Sequence, residues 1–147
     1  MPAAETVRAV VLDASVAVRW VIEEDGSAEA VILLNQEIGW IAPRLLLTEV
    51  ASALRRKVAD GAVEAALAGQ ALDTLLQAVA DGIVHLADDE RIVSQALLLA
   101  ISLDHKLPDC MYLALAEREG AAIATADVRL ARLARGRNVD VLLVPHG

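Results

Sequence analysis

The chain has 147 residues, 56% of them hydrophobic and 2% aromatic, with a formal net charge of −8. That length suits one domain, residues 1–147, whose core must be aliphatic because Trp20, Trp40 and Tyr112 are the only aromatic side chains. The acidic balance excludes a general nucleic-acid coat protein, which would carry a basic surface, and no apolar run is long enough for a transmembrane helix.

Val10-Val11-Leu12 is a short β-branched run of the kind buried on both faces of a parallel sheet. It ends in Asp13, and Ser15 is placed to cap a helix from Ala14 to Ile22. Glu23-Glu24-Asp25-Gly26-Ser27 breaks that helix, and Ala28 to Asn35 resumes helical spacing. Gly39-Trp40-Ile41-Ala42 reads as a second strand, with Pro43 opening the next helix. Arg44 to Asp60 is helical with Leu47, Val50, Leu54 and Val58 as its apolar stripe, and Gly61 stops it. Val63 to Ala80 forms a second long helix, expected to pack on the first as a hairpin. Ile83 to Leu86 is a third strand, after which Asp88 or Asp89 caps a helix to about Leu103. His105 to Pro108 connects to a helix through Glu119 with Asp109 in its first turn. Ala121 to Ala124 is a fourth strand leading to Thr125-Ala126-Asp127, followed by a helix over Val128–Ala134 and a last strand over Val139–Val144. Strands alternating with helices predict a three-layer α/β/α sandwich with a mostly parallel sheet.

Most acidic residues fall on solvated helix faces, but four do not. Asp13 and Asp127 follow strands, at the edge where open parallel sheets bind ligands. Asp109 leads into the apolar run Cys110 to Ala116, and Glu49 sits inside the apolar segment Leu45 to Ala51. Carboxylates without a His or Cys among them suit Mg²⁺ or Mn²⁺ rather than zinc. Each acid also has a plainer reading. Asp13 can cap the helix after it, Asp109 and Asp127 are ordinary helix-start acids, and Glu49 fits a helix surface.

Together these fragments carry a resemblance. Leu12-Asp13-Ala14-Ser15-Val16, Thr48-Glu49-Val50, Pro108-Asp109-Cys110-Met111-Tyr112 and Ala124-Thr125-Ala126-Asp127, in this order, resemble the PIN-domain nucleases. The likeness spans the chain and is greatest to the VapC toxins of toxin–antitoxin pairs. It implies that Asp13, Glu49, Asp109 and Asp127 form a catalytic quartet binding Mg²⁺ or Mn²⁺, with Ser15 and Thr125 at its edge. It further implies a metal-dependent endoribonuclease acting on an RNA substrate, a homodimer, and a cognate antitoxin protein that occludes the site. A PIN nuclease of RNA maturation or DNA cleavage, and a non-catalytic binding module, are the alternatives. A receiver domain is disfavoured because Ile83 to Leu86 supplies no acid.

The remaining polar features have bland readings beside functional ones. Thr125 is either a cap or a holder of metal-bound water. Ser15 is a cap rather than a nucleophile, since no His accompanies it. His85, His105 and His146 lack metal-ligand spacing, and Cys110 packs as a small apolar residue. Arg55-Arg56-Lys57 is a solvated helix end or a phosphate contact, and Arg129, Arg132, Arg135 and Arg137 contact RNA or form salt bridges. A lone cysteine and an N-terminus without signal-peptide character lead to an expected cytoplasmic location. Like charges held together raise one another's pKa, so Asp109→Asn is expected to raise the melting temperature of the metal-free protein.

Overall fold

The computed structural model describes residues 7–145; His146 lies outside them. Five strands form one parallel sheet in the order β3-β2-β1-β4-β5: β1 (Arg8–Leu12), β2 (Ile38–Pro43), β3 (Val84–Ala87), β4 (Ala122–Thr125) and β5 (Val141–Leu143). The chain steps outward from β1 to β3, then returns to place β4 on the other side of β1. The boundary between β1 and β4 is therefore the switch point of the sheet, where a crevice opens beyond the strand ends. Leu12 stands opposite Ala124 there, so Asp13 and Thr125 leave the sheet side by side.

The helices α1 (Ala14–Val21), α2 (Ser27–Leu34), α3 (Leu45–Ala59) and α4 (Ala65–Ala80) form one mutually packed group, and α5 (Val93–Leu103) packs on α6 (Leu107–Glu119). The short α7 (Val128–Gly136) lies against β4 and β5. This is the expected α/β/α sandwich. Helix α6 rests on β1, β2 and β4, and every residue from Asp109 to Ala116 is buried. A helix apolar on all sides belongs in the interior, so the carboxylate at its start is held as firmly as the core itself. Trp20 and Trp40 meet edge to face at 5.0 Å, a geometry that aligns ring edge with ring face. Among the described residues, no helix is long and apolar enough to cross a membrane.

Several local expectations change. Pro43 ends β2, paired with Ala87, instead of opening a helix. The buried face of α3 is Leu46, Val50 and Leu54, while Leu47 and Val58 are half-buried. Neither Asp88 nor Asp89 caps the helix that follows, because a 3-10 turn over Asp89–Arg91 intervenes. The Asp89 carboxylate instead accepts the N–H groups of Arg44 (2.7 Å) and Leu45 (3.2 Å), capping α3 from across the sheet edge. Ser15 is not a cap; Asp13 is the residue preceding α1, and its side chain makes no capping bond.

Candidate active site at the switch point

The Asp13 backbone completes the sheet, its N–H bonding to Ala124 O at 3.1 Å, and then begins α1 by accepting the N–H groups of Val16 and Ala17. Its side chain is left for other use. Ser15 Oγ donates to Asp13 Oδ2 at 2.5 Å and Thr125 Oγ1 donates to the same oxygen at 2.8 Å. Each hydroxyl also accepts a backbone N–H, Ser15 from Ala126 and Thr125 from Asp127, both at 2.9 Å. A hydroxyl has one proton to give, so these four bonds fix both rotors and hold Oδ2. Among the described residues, nothing donates to Asp13 Oδ1. Burial pushes the Asp13 carboxyl above its usual range, the two hydroxyls pull it back, and the charges of Asp109 and Asp127 push it further up.

Asp127 does cap α7, Oδ1 accepting Arg129 N–H at 2.8 Å and Leu130 N–H at 3.4 Å. Its bland reading is thus correct for one oxygen and leaves the other without a bond among the described residues. Asp109 is buried, with Oδ2 2.7 Å from His105 Nε2 and 3.9 Å from Lys106 Nζ. Glu49, half-buried in the second turn of α3, is raised by burial, lowered by the neighbouring Tyr112 hydroxyl, raised by the Asp13 and Asp109 charges, and lowered by Lys106. The fully buried Tyr112 hydroxyl makes no hydrogen bond of good geometry, although Glu49 and the Ala14 backbone lie near enough to act on it. Its environment of burial and the Asp13 and Glu49 charges pushes its ionisation far up. An orphaned buried hydroxyl beside a carboxylate is a donor without an acceptor, a costly state unless the carboxylate swings toward it.

All four acids line one open cleft of about 470 Å³, together with Arg56 and Lys57. Lys57 is tied to Glu24 by an ion pair, whereas Arg56 has no ion pair among the described residues. The larger cavity, about 700 Å³ at the opposite sheet edge, contains none of the four. Among the described residues, no group of three or more His, Cys, Asp or Glu is arranged to hold a metal ion. A hard cation still matches the donor chemistry. Mg²⁺ keeps several waters and is held by one or two carboxylates plus substrate phosphate, and the unbonded oxygens of Asp13 and Asp127 are donors of that type.

The sequence reading missed His105 and Tyr112. Tyr112 carried a signal, standing three residues after Asp109 on one helix face, whereas His105 precedes α6 and only the fold of the α5–α6 connection brings it to Asp109.

The PIN domain family model matches residues 10–136. A comparison with curated proteins finds no match. Among solved structures, PAE2754 from Pyrobaculum aerophilum is 21% identical, with 92% of this chain and 83% of that one covered, at a TM-score of 0.66. VapC20 of Mycobacterium tuberculosis, a Sarcin-Ricin loop cleaving toxin, is 15% identical over 84% of this chain and 94% of its own, at 0.65. VapBC2 from Rickettsia felis, bound to a DNA fragment from their promoter, is 12% identical over 92% and 98%, at 0.62. At these identities the likeness is one of fold.

Proposed function

The chain belongs to the PIN domain family, and on that premise we propose that it is a metal-dependent endoribonuclease, the toxin of a toxin–antitoxin pair, built as one PIN domain over residues 1–147 and acting in the cytoplasm. The observation that carries this reading is the meeting of Asp13, Glu49, Asp109 and Asp127, from four separate elements, in one cleft at the switch point. The fold shared with VapC20, a toxin that cleaves, favours the toxin role over RNA maturation.

When bound, Mg²⁺ or Mn²⁺ supplies the Lewis acidity that makes water nucleophilic at neutral pH and stabilises the leaving oxygen. Asp13 and Asp127 would hold it, and Asp109 and Glu49 would add to the negative field around it. Ser15 and Thr125 keep Asp13 in one rotamer, and His105 does the same for Asp109. Arg56 and Lys106, on the cleft wall, meet the substrate phosphate.

The antitoxin would enter on the opposite side of α1. A pocket of about 360 Å³ there is lined by Trp20, Leu34, Leu75, Ala78 and Ile83, and could seat apolar side chains of a partner peptide. An Arg or Lys of that peptide would bridge carboxylates of the acidic cleft. A homodimer is the further expected assembly.

The test is cleavage of end-labelled single-stranded RNA. Products should carry 5′-phosphate and 3′-hydroxyl ends, activity should vanish in excess chelator and return with Mg²⁺ or Mn²⁺, and Asp109→Asn should be inactive. Products ending in 2′,3′-cyclic phosphate, or full activity in chelator, would overturn the reading.

A further inference from the structure

A basic cavity lies beside the acidic cleft. His105, 2.7 Å from Asp109, also lines a cavity of about 500 Å³ between the α5–α6 connection and α7, with Leu103, Arg129, Arg132 and Leu133. Arg129 further lines a smaller depression shared with Ser15 and Asp127. His105 and Arg129 thus stand at the border between the carboxylates and the cavity, one beside Asp109 and one just beyond Asp127.

The charge here runs against the balance of the chain, −8 overall. Arg129 and Arg132 are exposed and one helical turn apart, and among the described residues neither makes an ion pair. Arg137, in the same cavity, is held by Glu117. Arg129 also occupies the first turn of α7, where the helix macrodipole disfavours a cation and favours an anion. Beneath the guanidinium rim the floor is aliphatic, from Leu103 and Leu133. Guanidinium groups bind phosphate oxygens bidentately, and an apolar floor accepts the face of a base.

We propose that this cavity is a binding subsite for the single-stranded RNA flanking the scissile bond. Arg129 holds the phosphate nearest the acids, Arg132 holds the following one, and Leu103 with Leu133 receives the base between them. The proposal rests on the ribonuclease reading and gives its substrate a direction of approach, along α7. An acidic peptide is the competing occupant for two free arginines. Adjacency to the carboxylate cleft, through the depression that Arg129 shares with Ser15 and Asp127, favours the RNA.

The experiment measures binding of a labelled single-stranded RNA oligonucleotide to the full chain carrying Asp13→Asn, which binds without cutting. It compares that background with added Arg129→Ala/Arg132→Ala, and with Arg135→Ala as a control on the same helix outside the cavity. Steady-state cleavage is measured with the same arginine changes in the wild-type background. The double variant should bind about tenfold or more weakly, raise KM with little change in kcat, and lower the salt slope of log Kd by about 1–2. In the wild-type background its Mg²⁺-induced rise in melting temperature should match that of the unaltered chain, showing an intact acidic site, and Arg135→Ala should leave RNA affinity unchanged. If the wild type cuts RNA while the double variant binds and cuts as well as its parent, the subsite is wrong and the ribonuclease reading stands. If no single-stranded RNA is bound or cut by the wild type, both fall. Loss of poly-glutamate binding with RNA affinity kept would assign the cavity to an acidic peptide and overturn the proposal.

Discussion

Asp13 has one carboxylate oxygen held by Ser15 and Thr125 and, among the described residues, one without a hydrogen bond. Its raised pKa has a definite thermodynamic sign. When burial lifts a folded-state carboxyl above its unfolded value, the unfolded chain ionises first. The stability contributed by Asp13 and Glu49 is then present below pH about 4, where both states are protonated, and falls as pH rises through the folded pKa. Asp13→Asn removes the share of the more deeply buried carboxyl. The metal-free variant should be more stable than the parent at pH 7 by on the order of 1 kcal/mol, about 2–4 °C in Tm for a domain of this size. The gap should close toward pH 4. Mg²⁺ should raise the Tm of the parent by linkage and leave the variant almost unmoved. Thermal melts across this pH range at low salt check it, and a variant melting lower than its parent at pH 7 contradicts it. The sequence pointed to Asp109→Asn for this experiment. The structure moves the choice to Asp13, because Asp109 is already partnered by His105 at 2.7 Å and its substitution would remove the charge from that contact as well.

At the scale of elements, the site depends on how α3 and α6 begin. Helix α6 starts with Leu107 and Pro108, which lacks the N–H that a first turn leaves unpaired anyway. Asp109 then follows at the third position, inside the core. Helix α3 has no cap in its own sequence and receives one from Asp89, 45 residues further along. Because Glu49 lies one turn into α3, fraying of that start would loosen the carboxylate too. Asp89→Ala should cost about 1 kcal/mol, the usual loss of a helix N-cap, and lower kcat of RNA cleavage. Its neighbour Asp88 makes exposed pairs with Arg44 and Arg91. Asp88→Ala should therefore change stability by less than about 0.5 kcal/mol. Urea denaturation of the two variants separates a cap from a surface ion pair, and equal effects would refute the cap.

At the scale of the whole molecule, the most exposed apolar surface lies on α5, where Leu98 and Ile101 are 69% and 70% exposed and Leu97 is 52% exposed. Adjacent apolar side chains on one helix mark an interaction surface, and a second copy of the chain is the occupant the homodimer reading requires. Leu98→Glu/Ile101→Glu should convert a dimer to a monomer in sedimentation equilibrium, with far-UV circular dichroism unchanged. A monomeric wild type, or a variant that stays dimeric, would count against it.

The alternation of strands and helices, the boundaries of most elements to within two residues, and the burial of α6 were legible in the sequence. Each is local: periodicity, a glycine stop or an apolar run is written within a dozen residues. Three of the four acids could also be located at strand ends or helix starts from local sequence. What sequence order could not express is register between strands. Only the pairing of Leu12 with Ala124 places Ser15 and Thr125 on the same oxygen of Asp13, across a separation of 112 residues for the Thr125 bond. The same limit hid the capping role of Asp89. Local propensity assigns a carboxylate to the nearest helix start, whereas in the folded chain the unpaired N–H groups it reaches belong to whichever helix the sheet has carried beside it.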